Sequence, residues 1–232
     1  MIGIIGAMEL EVEQLAAAME NPTVRHKAGM KFVSGRLEGT EAVVVRSGVG
    51  KVNAALCAQI LADCFEVSAV INTGIAGAVG LEVGIGDLVL STSALQHDMD
   101  AVAFGYDLGV IPQQECSDFP ADPRLLQLAA DCCAACLPDT RVHTGRVVSG
   151  DVFVAKKEQK DFLRSRFDAI CTEMEGAAVA HAAWRNGIPY LVVRAISDNA
   201  DACAVEDYPT FERNAANRAA LLVRAMLRGL AR

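Results

Sequence analysis

Short apolar runs alternate along this chain with longer segments whose apolar positions recur at helical spacing. The first pattern suits buried strands and the second amphipathic helices, so their alternation predicts an α/β fold. Strands are expected near residues 1–6, 31–37, 41–46, 68–73, 87–92, 142–148, 168–172 and 190–196. Helices are expected near 9–20, 51–65, 123–137, 156–166, 175–187 and 208–229. No internal repeat, low-complexity stretch or Pro/Ser-rich linker divides the pattern. The expectation is one domain over residues 1–232, with a central mixed, largely parallel sheet flanked by helices.

In sheets of this kind ligands lie at the carboxyl ends of the strands, so the residues just past each apolar run carry the chemistry. After IGIIGAM comes the acidic run Glu9, Glu11, Glu13; after AVIN comes TGIAGAVG; after RVVSG comes DVFV; after DAIC comes TEMEG; after YLVVRAI comes SDNAD. Four of these five segments carry a carboxylate within two residues of the preceding apolar run. Gly74 and Gly77 suit a strand-to-helix turn whose backbone N–H groups approach a ligand, or a tight turn and nothing more. The chain has no GxGxxG, so a dinucleotide site has no support.

Glu173 and Glu175 flank Met174 in otherwise apolar surroundings, where an acidic side chain needs a compensating partner. Arg194, inside the apolar run YLVVRAI, needs a carboxylate or carbonyls in turn, and a nearby Glu would suit it. Asp198 follows in SDNAD, as a turn residue or as an acid. A carboxylate beside Arg stays ionised, whereas one in apolar surroundings is held protonated, and carboxyl groups split in this way can break a glycosidic bond. Glu9 and Glu11 flank the inner face of the first helix (Val12, Leu15, Ala16, Met19) almost symmetrically, and the residues alone do not choose between them. Leu10 is expected to point away from the core.

A formal charge of −8 and a pI near 5.0 disfavour nucleic acid and anionic membranes as partners and leave small molecules. The opening MIGIIGAMELEVE has no basic leader and its apolar run stops at a Glu, so neither a secretory signal nor a membrane span is expected. The eight cysteines, Cys203 among them, then read as reduced cytoplasmic thiols. Cys132, Cys133 and Cys136 read as small core residues, on a helix where Leu125, Leu128, Ala129, Cys132 and Cys136 repeat. His97, Asp98 and Asp100 have metal-ligand side chains, but a loop held by its own Asp residues explains them equally, and no metal is expected. Phe104 and Pro112 lie in a stretch suited to a lid or an interface. Arg46, just past a strand, is a conceivable anion ligand read here as a surface residue.

Taken together, GIIGAMELEVEQL, SGVGKVNAA, INTGIAGAVG, HDMDAVAFGYDLG, VSGDVFV, EMEGAAVAH and VVRAISDNAD resemble the bacterial 5′-methylthioadenosine/S-adenosylhomocysteine nucleosidases of the nucleoside phosphorylase superfamily, from about residue 1 to 229. The resemblance implies cofactor-free hydrolysis of the adenine–ribose bond of methylthioadenosine and adenosylhomocysteine, and of 5′-deoxyadenosine as a further candidate, in methionine salvage. It implies Glu11 as the base that activates water, Asp198 as the acid at adenine N7, and Glu175 on the ribose hydroxyls, compensated by Arg194 with Met174 alongside. Phe153 would stack on the base, the backbone of Val154 would read its edge, and Gly77 would lie at the sugar or water site. Met8, Ser197 and Tyr208 are the remaining substrate contacts implied within one subunit. Phe104 and Pro112 would reach across a homodimer to close the neighbour's 5′ pocket. Glu173 is left as a support for the turn. Ile75 stands where many relatives carry a hydroxyl, and Asn72 where phosphorylases carry an Arg. A phosphorolytic relative, an aminofutalosine hydrolase and a non-catalytic adenosine-binding module remain as rival readings.

Overall fold

The computed structural model describes residues 1–201 and 204–231. Its elements are β1 (Ile2–Gly6), α1 (Glu9–Ala17), β2 (Glu20–Lys27), β3 (Met30–Leu37), β4 (Thr40–Arg46), α2 (Lys51–Phe65), β5 (Ala69–Ala78), β6 (Leu88–Gln96), β7 (Asp118–Pro120), α3 (Pro123–Cys136), β8 (Val142–Ser149), α4 (Lys157–Phe167), β9 (Ala169–Glu173), α5 (Gly176–Arg185), β10 (Tyr190–Asp198) and α6 (Ala204–Leu230). A short 3-10 helix spans Val102–Phe104.

The strands join one mixed sheet. β4, β1, β5 and β10 lie side by side and parallel, and β6, β8 and β9 form a second parallel set. Antiparallel pairing of β10 with β6 and of β5 with β9 joins the two sets, so that β5, β10, β6, β8 and β9 close into a ring. Glu173, at the end of β9, is thereby brought beside the end of β5, where Gly77 pairs with Thr172.

Both faces of the sheet are covered, as parallel strands require. Ile4, Val44 and Ile71 face a layer made by α1, α3 and α6, where Leu15, Leu125 and Met226 are buried. The alternate residues Ile5, Val45 and Val70 face α2 and α5, against Cys57, Leu61 and Ala180. Each large aliphatic side chain buried here contributes ~1.5–3 kcal/mol of transfer free energy, which fixes the strand register and so the place of every residue at the strand ends.

Several expectations are corrected. β2, ENPTVRHK, is exposed at every position and shows no apolar alternation. It exists as the outer half of a hairpin whose two-residue turn, Ala28 (φ 49) and Gly29 (φ 75), has the twist such hairpins favour. β5 runs on to Ala78 where a break after residue 73 is expected, because β10 pairs with it as far as Gly77. Leu10 is half-buried against the first core layer, since α6 packs along α1 on that side. On α3 the buried line passes through Leu125, Ala129 and Cys133, leaving Cys132 half-buried and Cys136 exposed. Cys203 lies outside the described residues.

Candidate active site

The carboxyl ends of β1, β5, β9 and β10 meet at a cavity of about 220 Å³. Glu11 enters it from the first turn of α1, with only 4% of its surface exposed. One carboxylate oxygen, Oε2, accepts the backbone N–H groups of Ala7 (2.6 Å) and Met8 (2.9 Å), and Oε1 accepts that of Ile75 (3.1 Å). Burial pushes the Glu11 carboxyl up, against the pull of Arg194 and the three amides. Its rival, Glu9, lies on the surface, 3.4 Å from Arg46. The fold thus makes the choice that the helical pattern leaves open.

Gly74 and Gly77 have a different purpose from the turn that their sequence suggests. Both lie within β5 and neither has a positive φ. A Cβ on Gly74 would stand 2.5 Å from Glu11 Oε1, and one on Gly77 would stand 2.7 Å from Asp198 Oδ1. The two glycines clear space for two carboxylates. Asp198 ends β10, where a register shift after Ile196 re-aims the strand. Its Oδ1 accepts Ala200 N–H at 2.8 Å, and Ser197 Oγ donates to Oδ2 at 2.9 Å.

The expected compensation of Glu175 by Arg194 is corrected. Arg194 forms its ion pair with Glu173, and its terminal nitrogens also donate to Asn72 O (3.1 Å), Asn72 Oδ1 (2.6 Å) and Val193 O (3.0 Å). It is buried behind the cavity wall. Burial opposes its charge, but the neighbouring Glu173 and Glu11 more than offset that and raise its pKa further. Glu173 also takes the Ser149 hydroxyl on Oε1 and the backbone N–H groups of Glu175 (3.1 Å) and Gly176 (2.8 Å) on Oε2. It therefore anchors the start of α5 as well as the turn. The geometry behind this is simple: Glu173 ends a strand facing Arg194, whereas Glu175 lies past the turn and faces the cavity.

Glu175 is buried at the cavity wall, where its Oε1 accepts Gly50 N–H at 2.7 Å. Burial, and then the charge of Glu173, push its carboxyl up to about 8, with the Gly50 amide and Arg194 acting in the opposite direction. The side chain is thus poised to gain from hydrogen-bond donors on a ligand.

Met8, Phe153, Val154, Met174 and Tyr208 complete the wall together with Ser197 and Gly77. Phe153, 46% exposed, meets the Tyr208 ring edge-on at 5.8 Å, and the Tyr208 hydroxyl reaches Met8 Sδ at 3.1 Å. Phe104, 85% exposed, and half-buried Pro112 are not brought to this cavity within the chain. Asp100 accepts Val102 N–H (3.0 Å) within its own loop, whereas Asp98 ties that loop to other segments, pairing with Lys51 (2.5 Å) and accepting Asp151 N–H (3.0 Å). Among the described residues no group of three or more His, Cys, Asp or Glu could hold a metal ion.

Sequence reasoning misses Val49, Val152 and Thr172 on the wall, Ser149 behind it, and the Gly50 amide. A signal was present for Gly50: SGVGKV also follows a strand, and Gly50 (φ 98) adopts a conformation that other residues resist.

A sequence model of the phosphorylase superfamily matches residues 1–228. The chain is 42% identical over 230 residues to the 5′-methylthioadenosine/S-adenosylhomocysteine nucleosidase of Chromohalobacter salexigens, which covers 99% of this chain and 97% of that protein. It is similar to the nucleosidase of Neisseria meningitidis solved with methylthio-immucillin-A, with a TM-score of 0.94, 35% identity and 98% of each chain covered. It is also similar to the Colwellia psychrerythraea nucleosidase solved with adenine, with a TM-score of 0.93, 36% identity, and 97% of this chain and 93% of that chain covered. The chain therefore belongs to the phosphorylase superfamily and, within it, to the family of 5′-methylthioadenosine/S-adenosylhomocysteine nucleosidases.

Proposed function

We propose that this chain hydrolyses the N-glycosidic bond of 5′-methylthioadenosine and S-adenosylhomocysteine, giving adenine and the 5-thio-substituted ribose. The observation that carries this reading is that Glu11, Glu175 and Asp198, from three separate segments of the chain, line one cavity. Asp198 protonates adenine N7 as the bond to C1′ breaks. Glu11, its basicity raised by burial, takes a proton from the water that attacks C1′. Glu175 binds the ribose hydroxyls, whose donors favour its charged form, and negative charge near the ring stabilises an oxocarbenium-like sugar. Phe153, with Tyr208 edge-on against it, stacks on the base, the backbone of Val154 reads the base edge, and Met8 and Met174 enclose the nucleoside; the meeting of these side chains at one cavity supports this reading.

Water is favoured over phosphate by what surrounds Glu11. Phosphate needs several charge-assisted donors, whereas here Ile75 offers only its backbone N–H, already given to Glu11. Asn72 is committed to Ile5 O (3.0 Å) and to Arg194. The active form is read as a cytoplasmic homodimer. Supporting this are free thiols at the described cysteines and exposed apolar side chains at Val52, Leu56 and Phe104, with Phe104 and Pro112 serving the neighbour's 5′ end. The test is adenine release from methylthioadenosine by the purified protein. An enzyme yields adenine catalytically; a chain that binds the nucleoside and leaves it intact would contradict the reading.

A further inference from the structure

The catalytic cavity shares part of its wall with a neighbouring cleft. Ala7, Met8 and Val49, which line it, also line a second, more polar cleft of about 420 Å³. Across that cleft stand Arg46, the last residue of β4, and Glu9, the first of α1, 3.4 Å apart and each more than half exposed. An exposed ion pair of this kind is weak, so it opens at little cost when a better partner arrives. The loop between is fixed independently, by Ser47 Oγ on Gly48 O (2.8 Å) and Asn53 Nδ2 on Val49 O (2.7 Å).

The two substrates proposed above share adenine, ribose and a thioether, and they differ only beyond the sulfur. One ends in a methyl group, the other in a short chain carrying an α-ammonium and an α-carboxylate. A zwitterion of that shape asks for a cation and an anion side by side, just past an apolar collar wide enough for a thioether. We infer that the cleft is the subsite for the amino-acid end of S-adenosylhomocysteine, with Arg46 receiving the carboxylate and Glu9 the ammonium, and with Met8 and Val49 around the sulfur. The Arg46 guanidinium can meet a carboxylate through two parallel N–H donors, which makes it the stronger of the two contacts. This inference rests on the reading of the catalytic cavity given above.

The experiment is to measure kcat/KM for both nucleosides with the wild type, Arg46→Ala and Glu9→Gln, at low and high salt. Arg46→Ala should lower the value for S-adenosylhomocysteine about tenfold, the size of one charge-assisted hydrogen bond near solvent, and that for methylthioadenosine by no more than about twofold. Glu9→Gln should give a smaller loss with the same selectivity. Salt should weaken the reaction of the zwitterionic substrate most in the wild type, less in Glu9→Gln and least in Arg46→Ala, and leave that of methylthioadenosine unchanged. An S-adenosylhomocysteine whose carboxylate is amidated should no longer distinguish Arg46→Ala from wild type. An unchanged ratio between the two substrates in Arg46→Ala, whether both values fall or neither does, would overturn the subsite while leaving the catalytic reading standing. Failure of the wild type to release adenine from either substrate would instead overturn the catalytic reading, and the subsite with it.

Discussion

The floor and the mouth of the cavity are built on opposite principles. On the floor, Glu11, Glu173 and Asp198 sit at strand ends or a helix start, and main-chain N–H groups fix each of them. At the mouth, Phe153, Met174 and Tyr208 are only partly buried and make ring and sulfur contacts that can shift. The difference teaches where rigidity is needed. Proton transfer demands atoms held to a fraction of an ångström, whereas a planar base can be gripped by apolar side chains that adapt.

The sharpest way to break that comparison is Asp198→Asn. The amide keeps the size but carries no proton to deliver, so kcat should fall ~10²–10⁴-fold while nucleoside binding persists; stopped adenine release with retained ligand binding is the expected pair of results. Arg194→Met tests the floor from behind. It strips the cation from buried Glu173, and thermal unfolding should show a loss of ~3–5 kcal/mol, with activity falling as the start of α5 loosens.

Glu175 supplies a pH test. Its pKa is raised, so between the ordinary carboxylate range and about 8 the folded chain keeps a proton that the unfolded chain has lost. Stability from this group is thus full below the ordinary range and is lost as pH rises through about 8. Glu175→Gln should flatten that part of the stability profile and make the ligand-free protein more stable above it, by up to a few kcal/mol; denaturant unfolding across the window measures it. The smallest effect belongs to the mouth. Phe153→Ala should raise KM about tenfold, corresponding to ~1–3 kcal/mol of base stacking, with kcat less affected.

The same division governs what the sequence could show. Buried strands were legible because apolar runs cannot be solvated, and the acidic residues past them stood out against that background. Glu175 and Asp198 were found in this way. β2 was not, since its eight exposed residues carry no pattern and pairing with β3 alone makes it a strand. Nor was the partner of Arg194, because residue spacing says that a buried cation needs an anion without saying which of two nearby carboxylates faces it. Glu11 was separated from Glu9 by the family resemblance, and only the fold gives the physical cause: Gly74 leaves a gap that one of them can fill. Phe104 and Pro112 do not reach the cavity within one chain, so the role proposed for them needs a second subunit, which no reading of a single chain can place.

The central claim is that Glu11 directs water, and not phosphate, to the sugar. Methylthioadenosine turned over in water labelled with heavy oxygen, with and without phosphate, tests it most directly. The account predicts one labelled oxygen at C1 of the released sugar and a rate of adenine release indifferent to phosphate. A strict need for phosphate, with unlabelled ribose 1-phosphate as the product, would contradict it.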